Sequence, residues 1–529
     1  MGPAEDVLGA MKVFDNEIKK LNLHLNVQKS LFYSHEGIQH DRDVLLNAGL
    51  IECEESIDIL GTPIGQQHQV NDKCIQLANK ASEDIYKIID TLDHHQSSLL
   101  LIRHCILPRL NHLARSVPPT HFKSAALEFD KAIRKGLTKI CNLDGVTDKP
   151  PNPFTSAMRH LPLSKGGLGL TSLSDSHQLM YLASFCESLS SIPTLKDILT
   201  NARDQDTSTQ HELQQALSKV NSYLPLNTPH YTLNTPGKIG SLQKTYIEAL
   251  HQHQFNKLKT QLETHAQDST ASEQTKRHSM AQLNILLSQS SIGSMSWLSA
   301  TPAVKDLTFK NDDFTILLRR ATNSNFIPDN LVGHVCECSN PNDPDCIINM
   351  LHAENCNKRG QNIDRHNNIR DIFYILAELG NLNPHKEVLM SIGNNYKADL
   401  SIKEVYYDFG ITSPTQKLCL QLTPSNIKPL YAASYYETTK NNKYRNIMQE
   451  ANNLHRKYTP IVFESFGAIT NNTKTLIKLL AQAVNLEDLK GVTWTAPTKK
   501  AHIHQLLQVS MLRDTARSIR ASIRHNLAA

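Results

Sequence analysis

The sequence KADLSIKEVYYDF, residues 397–409, decides the fold class of the chain. Apolar and polar residues alternate from Ala398 to Ile402 and again from Val405 to Phe409, which is typical of strands with one buried face. The two runs meet at Lys403-Glu404, so we expect an antiparallel hairpin. Because most of the remaining sequence has a helical spacing of apolar residues, we predict an α+β, helix-dominated, multidomain protein.

The hairpin would bring two acidic residues together. Pairing centred on the bend places Leu400 opposite Tyr407, and Asp399 opposite Asp408 on the other side. The Cβ atoms of opposed residues lie about 5 Å apart, so the carboxylates repel each other unless a positive charge lies between them. Mg²⁺, commonly held by one or two carboxylates, is the ion that we expect there. The alternative is an ordinary hairpin whose acids face solvent, and the lack of an Asn-Gly or Asp-Gly turn weakens the predicted register.

A lysine-bearing helix is expected about thirty residues after the hairpin. Glu437, Lys440 and Tyr444 share one face of this helix. Either Lys440 or Lys443 would then lie beside a metal-bound water and orient it, or neutralise the phosphate under attack. The alternative is that these lysines are exposed and contribute only to solubility.

Four cysteine and histidine residues form a second candidate site. Cys336 and Cys338 are followed, after thirteen residues, by His352 and then by Cys356. Four nitrogen and sulfur ligands are what a tetrahedral Zn²⁺ ion requires, and a site filled by protein ligands alone is structural. Cys346 could replace one of the ligands, and free thiols beside a hydrogen-bonded histidine are the alternative.

Length and composition restrict the class of protein. At 529 residues the chain is too long for one hydrophobic core, so three or four units of ordinary domain size are expected. Its ten cysteines, with no secretory leader before them, indicate a reducing compartment rather than a disulfide scaffold. No apolar run approaches the roughly 18 residues of a membrane-spanning helix, so no membrane partner is expected.

The charge distribution favours a polyanionic partner. The net charge is only +4, but residues 101–140 carry eight Lys and Arg residues against two acids, and the chain from Lys500 carries five against one. Two cationic zones suit nucleic acid better than a small acidic substrate, although solvated helix faces are the alternative. The candidate nucleic-acid-binding residues are Arg103, Arg109, Arg115, Lys123, Lys131, Arg134 and Lys135.

The rest of the chain is expected to be mostly helical. IDILGTPIG, residues 57–65, has the composition of a tight hairpin. Apolar spacing predicts packed helices from Asp72 to Arg115 that end before Pro118-Pro119, and a further helix from Ser124 to Cys141. Residues 200–290, rich in Gln, His, Ser and Thr, are expected to be loosely specified helix or partly disordered.

These motifs, in this order, resemble the C-terminal part of the reverse transcriptase polyprotein of non-LTR retrotransposons that carry a restriction-like endonuclease. LNLHLNVQKS (21–30) is similar to the polymerase segment after the catalytic aspartates, with Lys29 at the position of a lysine often assigned to proton donation. ILGTPIG (59–65) resembles the primer-grip hairpin, and residues 99–119 resemble the thumb. LPLSKGGLGLTSL (161–173) and SWLSATPAVKDL (296–307) resemble connecting segments.

The endonuclease half of the resemblance lies further along the chain. The cysteine and histidine cluster, with Arg365-His366-Asn367 after it, resembles a zinc knuckle. KADL, YYDF, ETTKNNKY and IVFESFG resemble the metal-site and core pattern of that endonuclease. Ala398 stands where proline is usual, and Glu378 or Glu387 could supply a third carboxylate. The implied catalytic residues are Asp399, Asp408, Lys440, Lys443 and Glu387.

The resemblance also implies a domain order. A palm remnant with a primer-grip-like hairpin would occupy residues 1–70, and a helical thumb-like region 71–150. A helical connecting region, partly loosely ordered, would occupy 151–324. A zinc knuckle plus a small PD-(D/E)XK-like α/β domain would occupy 325–470, and basic amphipathic C-terminal helices 471–529. The polymerase's metal-binding aspartates lie upstream of anything in this chain, so its start looks truncated and reverse transcription by this chain is not expected.

The function implied is nucleic-acid binding with Mg²⁺-dependent DNA nicking. Element RNA and target DNA would be the partners, and the location would be nuclear, or cytoplasmic before nuclear entry. The alternatives are a non-catalytic nucleic-acid-binding remnant, and one part of an active RNA-directed DNA polymerase whose N-terminal half is missing.

Overall fold

Helices dominate the protein, with small sheets between them, as the sequence predicts. By contacts, the chain divides into two compact units: Met1–Asp84, Pro108–Ile133 and Ser172–Leu250 form unit 1, and Ile85–Leu107, Arg134–Thr171 and His251–Ala529 form unit 2. The computed structural model describes residues 3–33, 39–53, 55–141, 153–192, 207–238, 240–336, 338, 346–356, 361–390, 395–447, 449, 455–493 and 495–528.

The helices and strands are numbered in chain order. The helices are α1 (Ala4–Lys19), α2 (Gln39–Asn47), α3 (Gln67–Thr91), α4 (His95–Leu101), α5 (Asn111–Ser116), α6 (Pro119–Cys141), α7 (Pro153–His160), α8 (Leu173–Ser191), α9 (Thr207–Asn221), α10 (Ser241–Gln267), α11 (Glu273–Gln289), α12 (Asn311–Ala321), α13 (Met350–Asn355), α14 (Gln361–Leu379), α15 (Lys417–Leu420), α16 (Tyr431–Lys443), α17 (Asn471–Ala483) and α18 (Lys499–Ala528). The strands are β1 (Leu31–Phe32), β2 (Ile51–Glu52), β3 (Ser56–Ile59), β4 (Thr62–Gly65), β5 (Pro384–Leu389), β6 (Lys397–Ile402), β7 (Val405–Thr412) and β8 (Lys457–Glu464).

The hairpin predicted in IDILGTPIG is confirmed in unit 1. Strands β3 and β4 pair antiparallel, with Ile59 opposite Thr62. The two residues between them, Leu60 and Gly61, have φ of 50° and 79°, so both lie in the left-handed region that a two-residue hairpin turn requires. The Leu60 side chain is 98% exposed at the tip.

The Gln- and Ser-rich stretch forms three helices, α9, α10 and α11, joined by turns and coil at residues 222–238 and 268–272. In unit 1, Leu213, Val220 and Tyr246 from α9 and α10 pack in one core with Leu179 and Leu182 of α8. Polar residues therefore occupy the exposed positions of helices whose apolar positions are buried, which a count of polar residues does not reveal. Residues 200–206 and 239 lie outside the described residues.

Two prolines were expected to end a helix, and one of them begins the next. Helix α6 starts at Pro119, five residues before the predicted start at Ser124. Proline suits the first turn of a helix because the backbone N–H that it lacks would have no partner within the helix.

A four-stranded sheet lies in unit 2, with strand order β5-β6-β7-β8. Strands β5, β6 and β7 pair antiparallel, and β7 pairs parallel with β8. Helix α14 packs against β5, β6 and β7, whereas α16 packs against β7 and β8. Phe373 of α14 contacts Phe409 and Phe463, with ring centres 5.1 and 6.3 Å apart, so aromatic packing fixes this helix on the sheet.

The basic final segment is the predicted helix, α18, but its arginines bind the protein itself. Arg513 donates to the backbone carbonyls of Lys305 and Thr308 at 2.9 and 3.1 Å. Arg520 forms ion pairs with Asp312 and Asp313. These contacts of Arg513 and Arg520 therefore anchor α18 within unit 2. Part of the positive charge of this segment is used in them. No helix in the described part of the chain is long and apolar enough to cross a membrane.

An aromatic cluster in unit 2 supports a stability prediction. Trp297 is buried, and its ring meets Phe309 and Phe314 edge-on at 5.8 and 5.7 Å. Trp297→Ala should lower the free energy of unfolding by about 3–5 kcal/mol, because it removes apolar burial and leaves a cavity. Ile292→Ala, at a side chain 76% exposed, should change it by less than about 0.5 kcal/mol. Urea denaturation followed by circular dichroism measures both, and equal losses would contradict this description of the core.

Candidate functional site

The hairpin β6–β7 has the predicted register. Leu400 pairs with Tyr407 and Ile402 pairs with Val405. The bend residue Lys403 has φ of 55°, so it adopts the left-handed conformation without an Asn-Gly turn. The acids do not face solvent, since the side chains of Asp399 and Asp408 are only 15% and 8% exposed. The two carboxyl groups contact each other.

Asp408 is held by two neighbours from other elements. Lys440 of α16 donates from Nζ to Asp408 Oδ2 at 2.7 Å, and the Tyr458 hydroxyl of β8 donates to the same oxygen at 2.9 Å. Burial raises the pKa of Asp408; the neighbouring Asp399 adds to this, and Lys440 opposes it only in part, so the pKa lies above its ordinary value. This acid therefore lies where a further positive charge would stabilise it.

Asp399 is held by two other neighbours. His366 Nε2 of α14 lies 3.0 Å from Asp399 Oδ2, and the backbone N–H of Phe409 donates to that oxygen at 2.6 Å. Burial raises the pKa of Asp399, but the hydrogen bond and charge of His366 and the Phe409 N–H outweigh it, so the pKa lies below its ordinary value. The hydrogen bond to Asp399 raises the pKa of His366.

Lys440 reaches Asp408 across a glycine. A Cβ atom at Gly410, two residues after Asp408, would lie 2.4 Å from Tyr436 Cε1 and 2.8 Å from Lys440 Cε. Any side chain at this position would therefore displace helix α16 or its lysine. Helix α16 thus places Lys440 over Gly410, a position of β7 that carries no side chain.

Lys443 and Glu387, also predicted for this site, contact residues other than the two acids. Lys443 has its Nζ over the rings of Tyr444 and Tyr396, 5.0 and 5.7 Å from their centres. Glu387 has φ of 52°, and its carboxylate forms an ion pair with Arg370 at 2.6 Å. Its neighbours in β5, Lys386 and Val388, pair with Leu400 and Ala398, the residues on either side of Asp399.

Two further acids that the sequence analysis named also have other partners. The Glu378 carboxylate accepts a hydrogen bond from the Tyr374 hydroxyl. Glu437 accepts from Asn472 at 3.3 Å.

The cysteine and histidine residues form a second site in unit 2. The ligand atoms of Cys336, Cys338, His352 and Cys356 all lie within 4.8 Å of one another. Val335 and Ile347 form an antiparallel bridge beside Cys336. His352 and Cys356 lie one turn apart at α13, whose first turn is capped by the Asn349 side chain accepting from the His352 N–H at 2.9 Å. This cluster could hold a metal ion such as zinc.

The spacing within this cluster fits one tetrahedral ion. Cys338 Sγ and His352 Nε2 are 3.6 Å apart. A zinc ion with Zn–S near 2.3 Å and Zn–N near 2.0 Å at tetrahedral angles separates such atoms by about 3.5 Å. The possible substitute Cys346 is not among the clustered residues, and its carbonyl accepts from the Cys336 N–H at 2.8 Å.

A buried ion pair connects the cysteine and histidine cluster to the end of the sheet. Glu354 of α13 receives two hydrogen bonds from Arg320 of α12, and the two side chains are 4% and 3% exposed. Arg320 also donates to Ser465 Oγ at 3.2 Å, and its guanidinium lies 3.5 Å from the ring centre of Phe466. Ser465 and Phe466 directly follow β8, so one arginine joins the cluster helix to that strand.

The predicted nucleic-acid-binding residues are divided by burial. Arg103 does not lie on the surface: it is 9% exposed and donates to the Leu298 carbonyl at 2.9 Å, and burial lowers its pKa to about 10. Arg109 and Arg115 form ion pairs with Asp84 and Glu187. Exposed positions along α6 are occupied by Lys123, Lys131, Arg134 and Lys135, with Lys131 paired to Glu128.

Two residues at the acid pair have no assigned role in the sequence analysis. His366 lies within the Arg365-His366-Asn367 motif, so its presence near the endonuclease segment was visible but its contact with Asp399 was not. Tyr458 carries no local signal, because only the parallel pairing of β7 with β8 places its hydroxyl at Asp408. Such a contact depends on strand order rather than on spacing in the sequence.

Comparison with known proteins leaves the family open. No protein-family model matches the chain, and no curated protein is significantly similar to it. The resemblance to retrotransposon reverse transcriptases therefore rests on the short motifs and stays a prediction.

The close approach at Gly410 supports a second stability prediction. Gly410→Ala should lower the free energy of unfolding by about 1–3 kcal/mol, because its Cβ would overlap Tyr436 and Lys440. The matched control is Gly9→Ala in helix α1, where a Cβ would meet nothing within 4 Å. This substitution should raise the free energy of unfolding by up to about 1 kcal/mol. Thermal denaturation of both variants measures the difference. A Gly410→Ala variant as stable as the parent would contradict the packing of α16 on β7.

Proposed function

We propose that this protein is a fragment of a non-LTR retrotransposon reverse transcriptase that binds nucleic acid and nicks DNA with Mg²⁺. The observation that carries this proposal is the buried cluster of Asp399, Asp408 and Lys440. Side chains that are distant in sequence converge there, as hydrolysis of a phosphodiester requires. The mixed sheet with helices packed on it supports the small PD-(D/E)XK-like α/β domain that the resemblance implies.

The acid pair suits a hard divalent cation. Carboxylate oxygens are the ligands that Mg²⁺ prefers, and the raised pKa of Asp408 indicates a need for positive charge. Asp399 and Asp408 would hold the ion, which when bound would activate water and stabilise charge on the phosphate. Lys440 would orient the attacking water or neutralise the phosphate, and His366 would keep the Asp399 carboxylate in place.

Polymerase activity is not part of the proposal for this chain. The catalytic aspartates of the resembled polymerase would precede Lys29, and no residue described here is proposed for that role. We propose palm-like and thumb-like roles for the hairpin β3–β4 and for the helices that follow, with element RNA and target DNA as partners. A nuclear location, or a cytoplasmic one before nuclear entry, follows from that assignment.

Non-catalytic nucleic-acid binding is the second candidate function. The exposed cations of α6 favour it, since Lys123, Arg134 and Lys135 lie on one helix where phosphates could reach them. This reading predicts salt-sensitive binding and no metal-dependent cleavage. A third candidate function is that this chain is one part of an active RNA-directed DNA polymerase that upstream sequence completes.

We also propose that the cysteine and histidine cluster is a structural zinc site. Its four protein ligands would occupy all tetrahedral positions, so no place is left for a substrate. Cys338→Ala should reduce the zinc content from about one equivalent to near zero and lower the thermal midpoint, because the metal contributes folding free energy. Cys346→Ala should keep the zinc. Atomic absorption on both variants is the measurement, and retention of zinc by Cys338→Ala would reject the assignment.

The nicking activity can be tested at Asp408. Asp408→Asn should reduce Mg²⁺-dependent nicking of supercoiled plasmid by at least about 100-fold, because it removes a charged ligand of the proposed ion. DNA binding, measured by fluorescence anisotropy, should remain within about twofold. Glu404→Gln, at an exposed acid in the bend of the same hairpin, should cleave like the parent. Equal nicking by parent and Asp408→Asn proteins would falsify the endonuclease proposal in favour of non-catalytic binding.

A further inference from the structure

A row of three tyrosines leads from the protein surface to the acid pair. The Tyr458 hydroxyl donates to Asp408, and its ring lies 5.1 Å from that of Tyr444. The Tyr444 ring meets Tyr396 edge-on at 5.7 Å. Tyr444 and Tyr458 are buried, whereas Tyr396 is 45% exposed. The outermost ring of the row is therefore partly exposed to solvent.

A lysine lies over the outer end of this row. Lys443 Nζ is 5.0 Å from the centre of Tyr444 and 5.7 Å from that of Tyr396. Its side chain is exposed, and Asp408 contributes to its electrostatic environment. Lys440, one turn earlier on α16, donates a hydrogen bond to Asp408. The two lysines therefore have different positions, one at the acids and one beside the exposed ring.

An exposed aromatic ring next to a cation is the combination that binds an unpaired nucleotide. A base can stack on the ring because every base has a π face, and the cation contacts the phosphate. In a continuous duplex both faces of a base are covered by its neighbours, so stacking requires an unpaired or displaced base. The edge contact between Tyr396 and Tyr444 restricts the Tyr396 ring, which reduces the entropy lost on stacking.

We propose that Tyr396 and Lys443 form a subsite for one unpaired nucleotide beside the phosphate to be cleaved. The base stacks on Tyr396, and its phosphate binds Lys443. This inference rests on the proposed endonuclease function, and it names the substrate class as DNA with an unpaired nucleotide near the cleavage point. Lys443 is then a substrate-binding residue, and Lys440 is the lysine at the acid pair.

The experiment measures binding without cleavage. Full-length protein in buffer without added Mg²⁺ is titrated into two oligonucleotides that contain 2-aminopurine, one in a short single-stranded gap and one within a duplex. Stacking on tyrosine quenches 2-aminopurine, so the gapped probe should lose fluorescence on binding. Tyr396→Ala should abolish that quenching and weaken gapped-probe binding on the order of tenfold, while duplex affinity stays within about twofold.

Matched variants separate stacking from folding. Tyr396→Phe keeps the ring and should retain the quenching. Tyr435→Ala removes a tyrosine of similar exposure from α16 and should bind both probes like the parent. Lys443→Ala should weaken the affinity and reduce the slope of log affinity against log salt by about 0.7 to 0.9, as expected when one phosphate contact is lost.

The outcomes distinguish this subsite from the nuclease proposal. Quenching that depends on Tyr396 supports the subsite even if the parent fails to nick plasmid with Mg²⁺, a result that would count against the nuclease alone. Equal quenching and affinity in parent and Tyr396→Ala proteins would overturn the subsite even if nicking depends on Asp408. Failure of the parent to bind the gapped probe would overturn it as well.

Discussion

Two carboxyl groups in contact inside a protein set the main constraint on unit 2. Each loses hydration on burial, and each raises the cost of ionising the other, so the pair needs positive charge and hydrogen-bond donors around it. Asp399 and Asp408 receive these from separate elements: Asp399 from His366 and the Phe409 N–H, and Asp408 from Lys440 and Tyr458. Helices α14 and α16 and strand β8 therefore each contribute a side chain that contacts this one pair of acids.

The division of these donors makes the two acids unequal. Asp399 has a lowered pKa and Asp408 a raised one, so as the pH falls Asp408 takes up a proton before Asp399 does. A divalent ion between these acids would supply the positive charge that burial and the neighbouring Asp399 make favourable at Asp408. An ordinary surface hairpin would not need this arrangement, because water would solvate both acids.

The parts of this structure that depend on local pattern were predictable, and those that depend on tertiary contacts were not. Alternation alone yields the β6–β7 register, because a shift by one residue would move Leu400 and Tyr407 out of the core. Tyr458 meets Asp408 only through the parallel pairing of β8 with β7, and Arg103 is buried although its neighbours in sequence suggested a basic patch. Charge spacing does not reveal which arginine a fold encloses.

The cysteine and histidine cluster and the sheet are not independent bodies within unit 2. Arg320 donates to Glu354 on the cluster helix and to Ser465 beyond β8, and it stacks on Phe466. Separating the cluster helix from the sheet would leave an unpaired charge buried, which costs about 3–5 kcal/mol. That cost is comparable to a large fraction of a domain's stability. Arg320 therefore joins the helix that carries His352 to the residues that follow β8, the strand that contains Tyr458.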